Sequence, residues 1–445
     1  MLKISPLIID VLKTLNNASK EAYVVGGFIR DNLLGKESFD VDICTNADAV
    51  TMMTLFASHN PKQSHHSFGA VSFTVAPYHF ELTQYRTEKG AISARYPLDI
   101  NATQSLKEDL MRRDFTINTL CYHHEEGLID LLGGLNDLKS LRLKTVVDPY
   151  ESFKHDYLRI VRLYRFKSQL NFEIETLTLK AAQELEFNLA TYPTVWWEQE
   201  FFKTLMGDAF LTLSLDNPQF LITLVPLLKD AYDFDQNNPY HKFSLYEHTM
   251  RVVGLCPKNL NLRLAALFHD LGKSTCREDD DLGVSHFRGH ALASYTLAKE
   301  YIHKFSLSEK DKAWILNLIQ YHDLKLKEDE KSLYSNAVQF GMPFMHDLIK
   351  LKRADNLAKS DKALYQVDRC DAFTVILNEI SMKKLPLKVS DLLVDGHDCM
   401  ALGIMGPQIS KVLEETFKVV VEKNLGNDYK QQMKVLEGVI HNDTH

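Results

Sequence analysis

The stretch "ESFDVDI" (37–43) decides how the N-terminal part of the chain is interpreted. Its two aspartates, Asp40 and Asp42, are separated by one valine. In a β-strand their side chains therefore point to the same face, about 7 Å apart along the backbone. Two carboxylates at this spacing can together hold a divalent metal. An isolated acidic pair is more often the solvated edge of a strand, so the neighbouring sequence has to decide between the two interpretations.

The preceding stretch "VVGGFIRD" (24–31) is typical of a strand that ends in two glycines and leads into a helix. Gly26 and Gly27 carry no Cβ, so backbone N–H groups at the helix start can approach phosphate oxygens. Arg30 adds positive charge there. Glycine turn, helix and acidic strand follow one another within 20 residues, and a solvated strand edge gives no reason for that order. The pattern predicts a phosphate site beside a metal site.

A third carboxylate is expected from Glu81 in "HFELTQYR" (79–86), another strand of the same module. Three carboxylates on one face suit two Mg²⁺ ions. Ions held in this way bridge a triphosphate, lower the pKa of an attacking hydroxyl and stabilise the leaving pyrophosphate. We therefore predict Asp40, Asp42 and Glu81 as catalytic residues.

The composition is that of an ordinary folded protein, with 445 residues, 45% hydrophobic residues and 25% charged residues. This length favours two to four domains, and no window reaches the apolar length of a membrane span. The net charge of −8 argues against a protein that coats nucleic acid non-specifically. The six cysteines are scattered without a CxxC pair and no signal-peptide pattern is visible, so we expect a cytoplasmic protein.

The spacing of apolar residues predicts an α+β fold in which a small mixed sheet precedes a helical remainder. Stretches rich in Pro, Asn and Lys near 235–243 and 383–391 are candidate boundaries. The predicted parts are a head (1–145), a helical neck that selects the nucleotide (146–235), a helical metal-binding domain (236–383) and a helical tail (384–445). The tail could pack as a helix pair or contact RNA.

Two further stretches carry a resemblance to known proteins, "EDLMRRDFTINTL" (108–120) and "LIDLLGGLNDLKSLRLKTV" (128–146). With the glycine turn and the acidic strand, they resemble the polymerase β-like nucleotidyltransferases. Within these, they resemble the tRNA nucleotidyltransferase (CCA-adding) and bacterial poly(A) polymerase family.

The resemblance implies that Asp40 and Asp42 bind the metals and that the glycine turn and Arg30 contact the triphosphate. It also implies that Arg113 and Asp114 contact the nucleotide and that 86–107 is a flexible loop. An arginine suits phosphate and an aspartate suits a ribose hydroxyl. The alternative is that 112–114 is only a charge cluster at a helix terminus.

The stretch "FKHDYLRIVRLYRF" (153–166) matches the region in which that family carries an EDxxR pattern. By this resemblance Asp156 and Arg159 hydrogen-bond the edge of the incoming base, and Arg162 faces the nucleotide. The first position departs from the pattern, because His155 stands where the family has a glutamate. A histidine cannot accept two guanidinium bonds, so the brace of Arg159 is in question.

The C-terminal half contains an ordered series of histidines and aspartates in "YEHT", "LFHDLGKS", "HFRGH", "QYHD" and "KRADN". Imidazole and carboxylate together are good ligands for a divalent transition metal, whereas a set of buried core histidines is the plainer alternative. The order resembles the HD phosphohydrolase superfamily over about 240–360. The resemblance implies one metal bound by four residues and a second metal or phosphate contact by two more. The first set is His248, His269, Asp270 and Asp355, and the second is His290 and His322.

We therefore expect an enzyme that adds CCA to the tRNA 3′ end from CTP and ATP, with an HD phosphohydrolase domain. The expected partners are tRNA, CTP and ATP, without a membrane, and the oligomeric state is left open. The expected cofactors are Mg²⁺ at the head and a divalent transition metal of unknown identity at the HD site. The alternatives are CC addition, A addition, poly(A) synthesis, or hydrolysis of a nucleotide or phosphodiester by a metal-dependent enzyme.

Overall fold

The computed structural model describes residues 2–63, 69–89 and 99–443. The chain divides into two compact units, Met1–Leu224 and Val225–His445. Each unit is described by itself below.

The first unit begins with an amphipathic helix and a mixed sheet. Helix α1 buries Ile8, Val11, Leu12 and Leu15, which recur at the spacing of one helical face. The elements up to residue 143 are α1 (Pro6–Asn17), β1 (Ala22–Val25), α2 (Gly27–Leu33), β2 (Asp40–Thr45), α3 (Ala49–Leu55), β3 (Lys62–Gln63), β4 (Ala70–Val75), β5 (Tyr78–Gln84), β6 (Arg86–Lys89), β7 (Asp99–Ala102), α4 (Leu106–Met111), β8 (Cys121–His123), β9 (Gly127–Ile129), α5 (Gly134–Lys139) and β10 (Arg142–Leu143).

Seven strands form the main sheet in the order β3-β4-β5-β2-β1-β8-β9. Strands β2 and β5 run parallel, and the other neighbouring strands run antiparallel. Strand β2 alternates between exposed aspartates and the buried Val41 and Ile43, so its acidic face lies opposite the core. The sheet is therefore mixed, as predicted, and it displays its carboxylates near its centre.

Strands β6 and β7 pair with each other rather than with the main sheet. They lie within 86–107, which the resemblance assigned to a flexible loop. Residues 90–98 of that segment lie outside the described residues. The loop assignment stays a prediction.

The rest of the first unit is helical apart from one short strand that pairs in parallel with β10. Its elements are α6 (Pro149–His155), α7 (Leu158–Leu170), β11 (Glu173–Ile174), α8 (Thr176–Leu185), α9 (Thr194–Leu205), α10 (Phe210–Asp216) and α11 (Pro218–Leu224). Helix α9 packs against α7. The base-selecting stretch predicted from the sequence falls on α6, α7 and the turn between them.

The second unit is helical except for a two-stranded hairpin. Its elements are α12 (Lys229–Tyr232), α13 (Leu245–Leu255), α14 (Leu260–Phe268), β12 (Glu278–Asp279), β13 (Ser285–His286), α15 (His290–Ile302), α16 (Glu309–Tyr321), α17 (Glu330–Phe340), α18 (Met342–Leu357), α19 (Leu364–Met382), α20 (Gly396–Ala401), α21 (Gln408–Glu422) and α22 (Tyr429–Asp443). Helices α13, α14, α16 and α18 pack on one another. The last three helices enclose a small core of their own, which includes Cys399, Val420 and Leu436.

The predicted fold class, a mixed-sheet head followed by a helical remainder, is confirmed. The two-residue strand pairs of the remainder are a minor departure from an all-helical region. The four-part division of the chain stays a prediction. In the part of the chain that the structure describes, no helix is long and apolar enough to cross a membrane.

Candidate active site and metal centre

The three predicted carboxylates of the head lie on one face of the sheet. Asp40 and Asp42 are exposed on β2 with Val41 buried between them, and Glu81 on β5 pairs directly with Asp42. Because side chains of directly paired residues point to the same face, Glu81 joins the two aspartates. Their oxygens do not form a compact cluster within 4.8 Å of one another among the described residues. Three carboxylates repel one another, and as hard oxygen ligands they are a donor set that fits Mg²⁺.

The glycine turn lies beside Asp42. Gly26 has φ +81° and ψ −137°, a backbone conformation that is essentially restricted to glycine. A Cβ at Gly26 would lie 3.5 Å from Asp42 Oδ2 and 3.8 Å from Arg113 Nη1, so all three residues share one cleft. The pKa of the Asp42 carboxyl is raised, mainly because the surrounding protein removes water from it. The negative charges of Glu81 and Asp40 raise this pKa further, whereas the positive charge of Arg113 lowers it. The carboxylate therefore stands in a setting that favours a bound cation.

Arg30 is buried and fixed on three sides. Its Nε and Nη2 donate to Asp31 at 2.8 and 2.9 Å, and its Nη1 donates to Asn118 Oδ1 at 2.7 Å. The guanidinium also lies 4.9 Å from the ring centre of Phe166. Three of its five N–H groups are used, so two remain to meet a phosphate.

A buried carboxylate that we did not select from the sequence holds the two arginines of "RRD". Asp109 is fully buried and accepts from Arg112 Nε at 2.9 Å and from Arg113 Nη2 at 3.2 Å. It also accepts the Arg86 backbone N–H at 3.3 Å. Asp109 precedes the arginines by three and four residues, which is the spacing of helical neighbours and would have indicated the contact.

Asp114 and Arg162 are bound to each other. Oδ2 of Asp114 accepts from Arg162 Nε at 2.7 Å and lies 2.6 Å from Arg162 Nη2. Oδ1 accepts the Phe115 backbone N–H at 2.8 Å and Asn118 Nδ2 at 3.0 Å. Burial alone would raise the pKa of Asp114, but Arg162 and Asn118 hold it well below its ordinary value. Asp114 is therefore ionised and already fully hydrogen-bonded.

Arg159 has a brace, although its predicted glutamate partner is absent. Its Nη1 donates to Ser152 Oγ at 2.9 Å and its Nη2 to the Arg112 carbonyl at 2.6 Å. Asp156 stands at the turn before α7 and accepts the Leu158 backbone N–H at 2.9 Å. Neither ring nitrogen of His155 has a hydrogen-bond partner among the described residues. The structure thus brings Asp156 and Arg159 to one turn and replaces the glutamate with neutral acceptors.

The second unit brings all six predicted histidines and aspartates together. His248 lies on α13, His269 and Asp270 follow α14, and Asp355 lies on α18. His248 Nε2 is 3.3 Å from Asp270 Oδ2 and 3.2 Å from Asp355 Oδ1, and His269 Nε2 is 3.3 Å from Asp270 Oδ2. These four atoms are buried, and among the described residues only Asp270 Oδ2 has a further close polar neighbour, Lys273 Nζ at 2.6 Å. They converge on one point, which is what a metal site requires.

Asp270 also joins the two remaining histidines. His290 Nε2 and His322 Nε2 lie 3.3 and 3.4 Å from Asp270 Oδ1 and 3.1 Å from each other. The two carboxylate oxygens of Asp270 therefore face two groups of ligand atoms. This arrangement fits a second metal or a bound phosphate.

Backbone carbonyls fix the orientation of the histidine rings. The Nδ1 atoms of His269, His290 and His322 each lie 2.7 Å from the carbonyl oxygen three residues earlier. His248 Nδ1 is 3.3 Å from the Ala358 carbonyl. An imidazole that donates through Nδ1 leaves Nε2 as the metal-binding atom, so these carbonyls orient all four rings inward.

Lysines surround the cluster. Lys273 Nζ is 2.6 Å from Asp270 Oδ2, and Lys359 Nζ is 2.6 Å from Asp355 Oδ2. Burial would lower the pKa of His269, but Asp270 and Asp355 raise it to about 9. Burial would raise the pKa of Asp270, but His269 and Lys273 hold it well below its ordinary value. The ligands open into a cavity of about 620 Å³, which Lys352 and Arg369 also line.

In the part of the chain that the structure describes, three carboxylates therefore share one face of the head sheet, and two groups of ligand atoms that could hold metal ions meet at Asp270 in the second unit. The candidate metal ligands of the head are all carboxylates, whereas those of the second unit are imidazoles and carboxylates. A polymerase-type head with an exposed acidic strand, followed by a helical unit with a histidine–aspartate cluster, defines the class of protein. It is a mixed-sheet head with a carboxylate-bearing face, followed by a helical unit with an HD-type cluster of histidines and aspartates.

Comparison with known proteins agrees with this class. The model of the poly A polymerase head domain matches residues 22–144, and the model of the HD domain matches residues 245–372. The CCA-adding enzyme of Pediococcus pentosaceus is 39% identical over 198 residues, which are 44% of this chain. Those residues span 50% of the length of the Pediococcus protein.

Two further proteins are similar over nearly the whole chain. The CCA-adding enzyme of Streptococcus suis is 24% identical over 98% of this chain and 97% of its own length. The solved structure of the Bacillus stearothermophilus CCA-adding enzyme in complex with CTP has a TM-score of 0.66 at 20% identity. It covers 99% of this chain and 100% of that chain, which shows a shared fold. The resemblance predicted from the sequence is confirmed.

Proposed function

We propose that this chain is an RNA nucleotidyltransferase that adds CCA to the 3′ end of tRNA from CTP and ATP. The observation that carries the proposal is the shared cleft of Asp42, Gly26 and Arg113, on a sheet face that also bears Asp40 and Glu81. The similarity to CCA-adding enzymes supports the same function, and the structure of one of them was determined in complex with CTP. Localisation in the cytoplasm is part of the proposal and is supported by six free cysteines without a disulfide.

In the proposed mechanism the residues of the head position the triphosphate and the attacking hydroxyl. Asp40 and Asp42 would hold Mg²⁺, with Glu81 assisting, and the bound metal would supply a lower pKa for the tRNA 3′-hydroxyl and positive charge for the leaving pyrophosphate. The turn at Gly26 and Gly27 gives the phosphates close access to backbone N–H groups. Arg30 and Arg113 supply the positive charge, and the 3′-hydroxyl attacks the α-phosphate in line.

Base choice is proposed for Asp156 and Arg159. An aspartate accepts from the amino group of cytosine or adenine, and an arginine donates to a ring nitrogen or carbonyl. Asp156→Ala should therefore lower the rate with both CTP and ATP by about tenfold or more and weaken the discrimination against UTP and GTP, since one good base contact contributes about 1–3 kcal/mol. Primer extension with each nucleotide separately measures this, and unchanged choice and rate would exclude the assignment.

The decisive experiment is extension of three tRNA substrates that end at the discriminator base, at C and at CC, each with CTP and ATP separately. Addition of C, C and A in order supports the proposal. A product that stops at CC, extension of the CC substrate alone, or a long A tail indicates CC addition, A addition or poly(A) synthesis instead. Asp42→Ala should abolish extension. Asp48→Asn, an exposed aspartate at the start of α3, is the matched control and should retain it.

For the second unit we propose metal-dependent hydrolysis of a phosphoester. The first metal would be held by His248, His269, Asp270 and Asp355, and the convergence of one buried ligand atom from each of these residues supports this assignment. A divalent metal bound there lowers the pKa of a water molecule toward neutrality. The lysines around the cavity provide positive charge for a phosphate group.

Metal content tests this second proposal. Protein purified without chelator should contain a transition metal, and Asp270→Ala should lose most of it. His286→Ala removes an exposed histidine that pairs with Asp280 at 2.8 Å, and it should keep the metal. Equal metal in all three proteins would exclude the site. Release of phosphate from CTP without lengthening of tRNA would favour a nucleotide hydrolase over the transferase.

A further inference from the structure

The neck helix α9 contributes an acidic side chain to the arginines of α7. Glu200 Oε2 is 2.7 Å from Arg165 Nε, and Glu200 Oε1 is 3.6 Å from Arg162 Nη1. Arg162 and Arg165 lie one helical turn apart on α7, so Glu200 sits between two like charges. Arg162 also binds Asp114, and it is therefore shared between two carboxylates.

Asp114 cannot accept a ribose hydroxyl in the arrangement seen. A carboxylate offers about four acceptor positions. Two donors approach Oδ1 of Asp114, and two N–H groups of Arg162 approach Oδ2. One donor has to leave before a ribose can bind there.

The donor that can leave is Arg162. The Phe115 N–H belongs to the backbone, and Asn118 is 6% exposed and is also held by Arg30 at 2.7 Å. The Arg162 side chain is 38% exposed, and its Nη1 already faces Glu200. A small rotation toward α9 therefore exchanges one carboxylate partner for another without leaving the guanidinium unpaired.

We propose that Glu200 is a positioning residue that receives Arg162 when the ribose 2′-hydroxyl of the incoming nucleotide takes its place on Asp114. The inference rests on the proposed nucleotidyltransferase function and adds a residue that selects ribonucleotides over deoxyribonucleotides. A deoxyribonucleotide lacks the 2′-hydroxyl, so it has no group that replaces Arg162 on Asp114, and Arg162 stays where it is. Glu200 thus strengthens the binding of a ribonucleotide and leaves the binding of a deoxyribonucleotide unchanged.

The test compares CTP with 2′-deoxy-CTP on the wild type and on Glu200→Gln. The variant should raise KM and Kd for CTP about fivefold, the contribution of one partly exposed ion pair. Kd for 2′-deoxy-CTP and the kcat for CTP should stay unchanged, so the preference for ribose falls about fivefold. Glu200→Asp keeps the charge and should restore part of the preference. Glu184→Gln is the matched control, because it makes the same change at an exposed glutamate that lies near Lys180 and accepts from the Tyr150 hydroxyl, a hydrogen bond that the amide oxygen of glutamine can keep.

Two results would overturn the inference. If Glu200→Gln raises Kd equally for CTP and 2′-deoxy-CTP, Glu200 only supports helix α7. If neither Kd changes, Glu200 has no role in nucleotide binding. A wild type that binds CTP with a ribose preference but extends no tRNA refutes the proposed function. In that case the Kd comparison still decides the role of Glu200.

Discussion

The contact of Asp109 with Arg112 and Arg113 predicts a large loss of stability when its charge is removed. Asp109 is 0% exposed, and each arginine side chain is 17% exposed. Asp109→Asn keeps the side-chain volume but removes the negative charge. It also replaces one accepting carboxylate oxygen with an NH2 group, which is itself a donor and faces the guanidinium donors of Arg112 and Arg113. Removing one partner of a buried ion pair costs about 3–5 kcal/mol, because the other charge stays buried without compensation.

Thermal unfolding of the first unit measures this cost. In a Trp314→Phe background the remaining tryptophans, Trp196 and Trp197, both report the first unit. A unit of this length shifts by about 2–4 °C per kcal/mol, so a loss of about 3 kcal/mol lowers Tm by roughly 6–12 °C. The KM for CTP should rise as well, because Arg113 stands beside Gly26 in the proposed nucleotide cleft.

The control is again Glu184→Gln. Glu184 and Lys180 are 52% and 65% exposed and 3.9 Å apart, and an exposed pair of this kind contributes about 0–1 kcal/mol. Glu184 also accepts from the Tyr150 hydroxyl at 2.8 Å, and the amide oxygen of glutamine can keep this hydrogen bond. A Tm shift for Asp109→Asn no larger than that of the control would refute the reasoning. It would mean that the two arginines find other acceptors or water when the carboxylate is neutralised.

Two further predictions concern a buried acid and a close glycine. Burial raises the pKa of Glu186 from 4.5 to about 7, so the folded state binds a proton that the unfolded state releases, and stability should fall as pH rises from about 4.5 to 7. Glu186→Gln should flatten this pH dependence in Tm scans between pH 5 and 8; an unchanged profile would contradict it. Gly272→Ala should remove at least half of the bound metal, because its Cβ would lie 2.5 Å from the His290 carbonyl oxygen. Metal analysis checks this, with Gly438→Ala, where a Cβ meets open space, as the control that keeps the metal.

The parts of the fold that local periodicity controls could be predicted from the sequence. Alternation in "FDVDI" places Asp40 and Asp42 on one face because the side-chain period of a strand is fixed by the backbone. The glycine turn before α2 was predictable because only glycine readily adopts the backbone at Gly26. The pairing of Asp42 with Glu81 depends on a parallel register between strands 39 residues apart in sequence (81 − 42), which periodicity alone does not determine.

Contacts between distant segments could not be predicted in the same way. Asn118 joins Arg30 to Asp114, and Glu200 reaches Arg162 from another helix. Each contact depends on how helices pack on the sheet and on which rotamer a long side chain adopts. A motif indicates which residues meet a ligand, whereas the residues that hold them in place carry no pattern of their own.

His155 stands where the resembled family has a glutamate, and the structure shows which other groups hold Arg159 in its absence. The family pattern predicts a glutamate that braces Arg159, and a histidine at this position cannot accept two guanidinium hydrogen bonds. The structure supplies Ser152 Oγ and the Arg112 carbonyl instead. Both acceptors are neutral, so they fix the direction of the guanidinium without cancelling its charge. Arg159 is therefore held in one direction, and in the proposed function it would meet the nucleotide with more net positive charge than a glutamate-paired arginine.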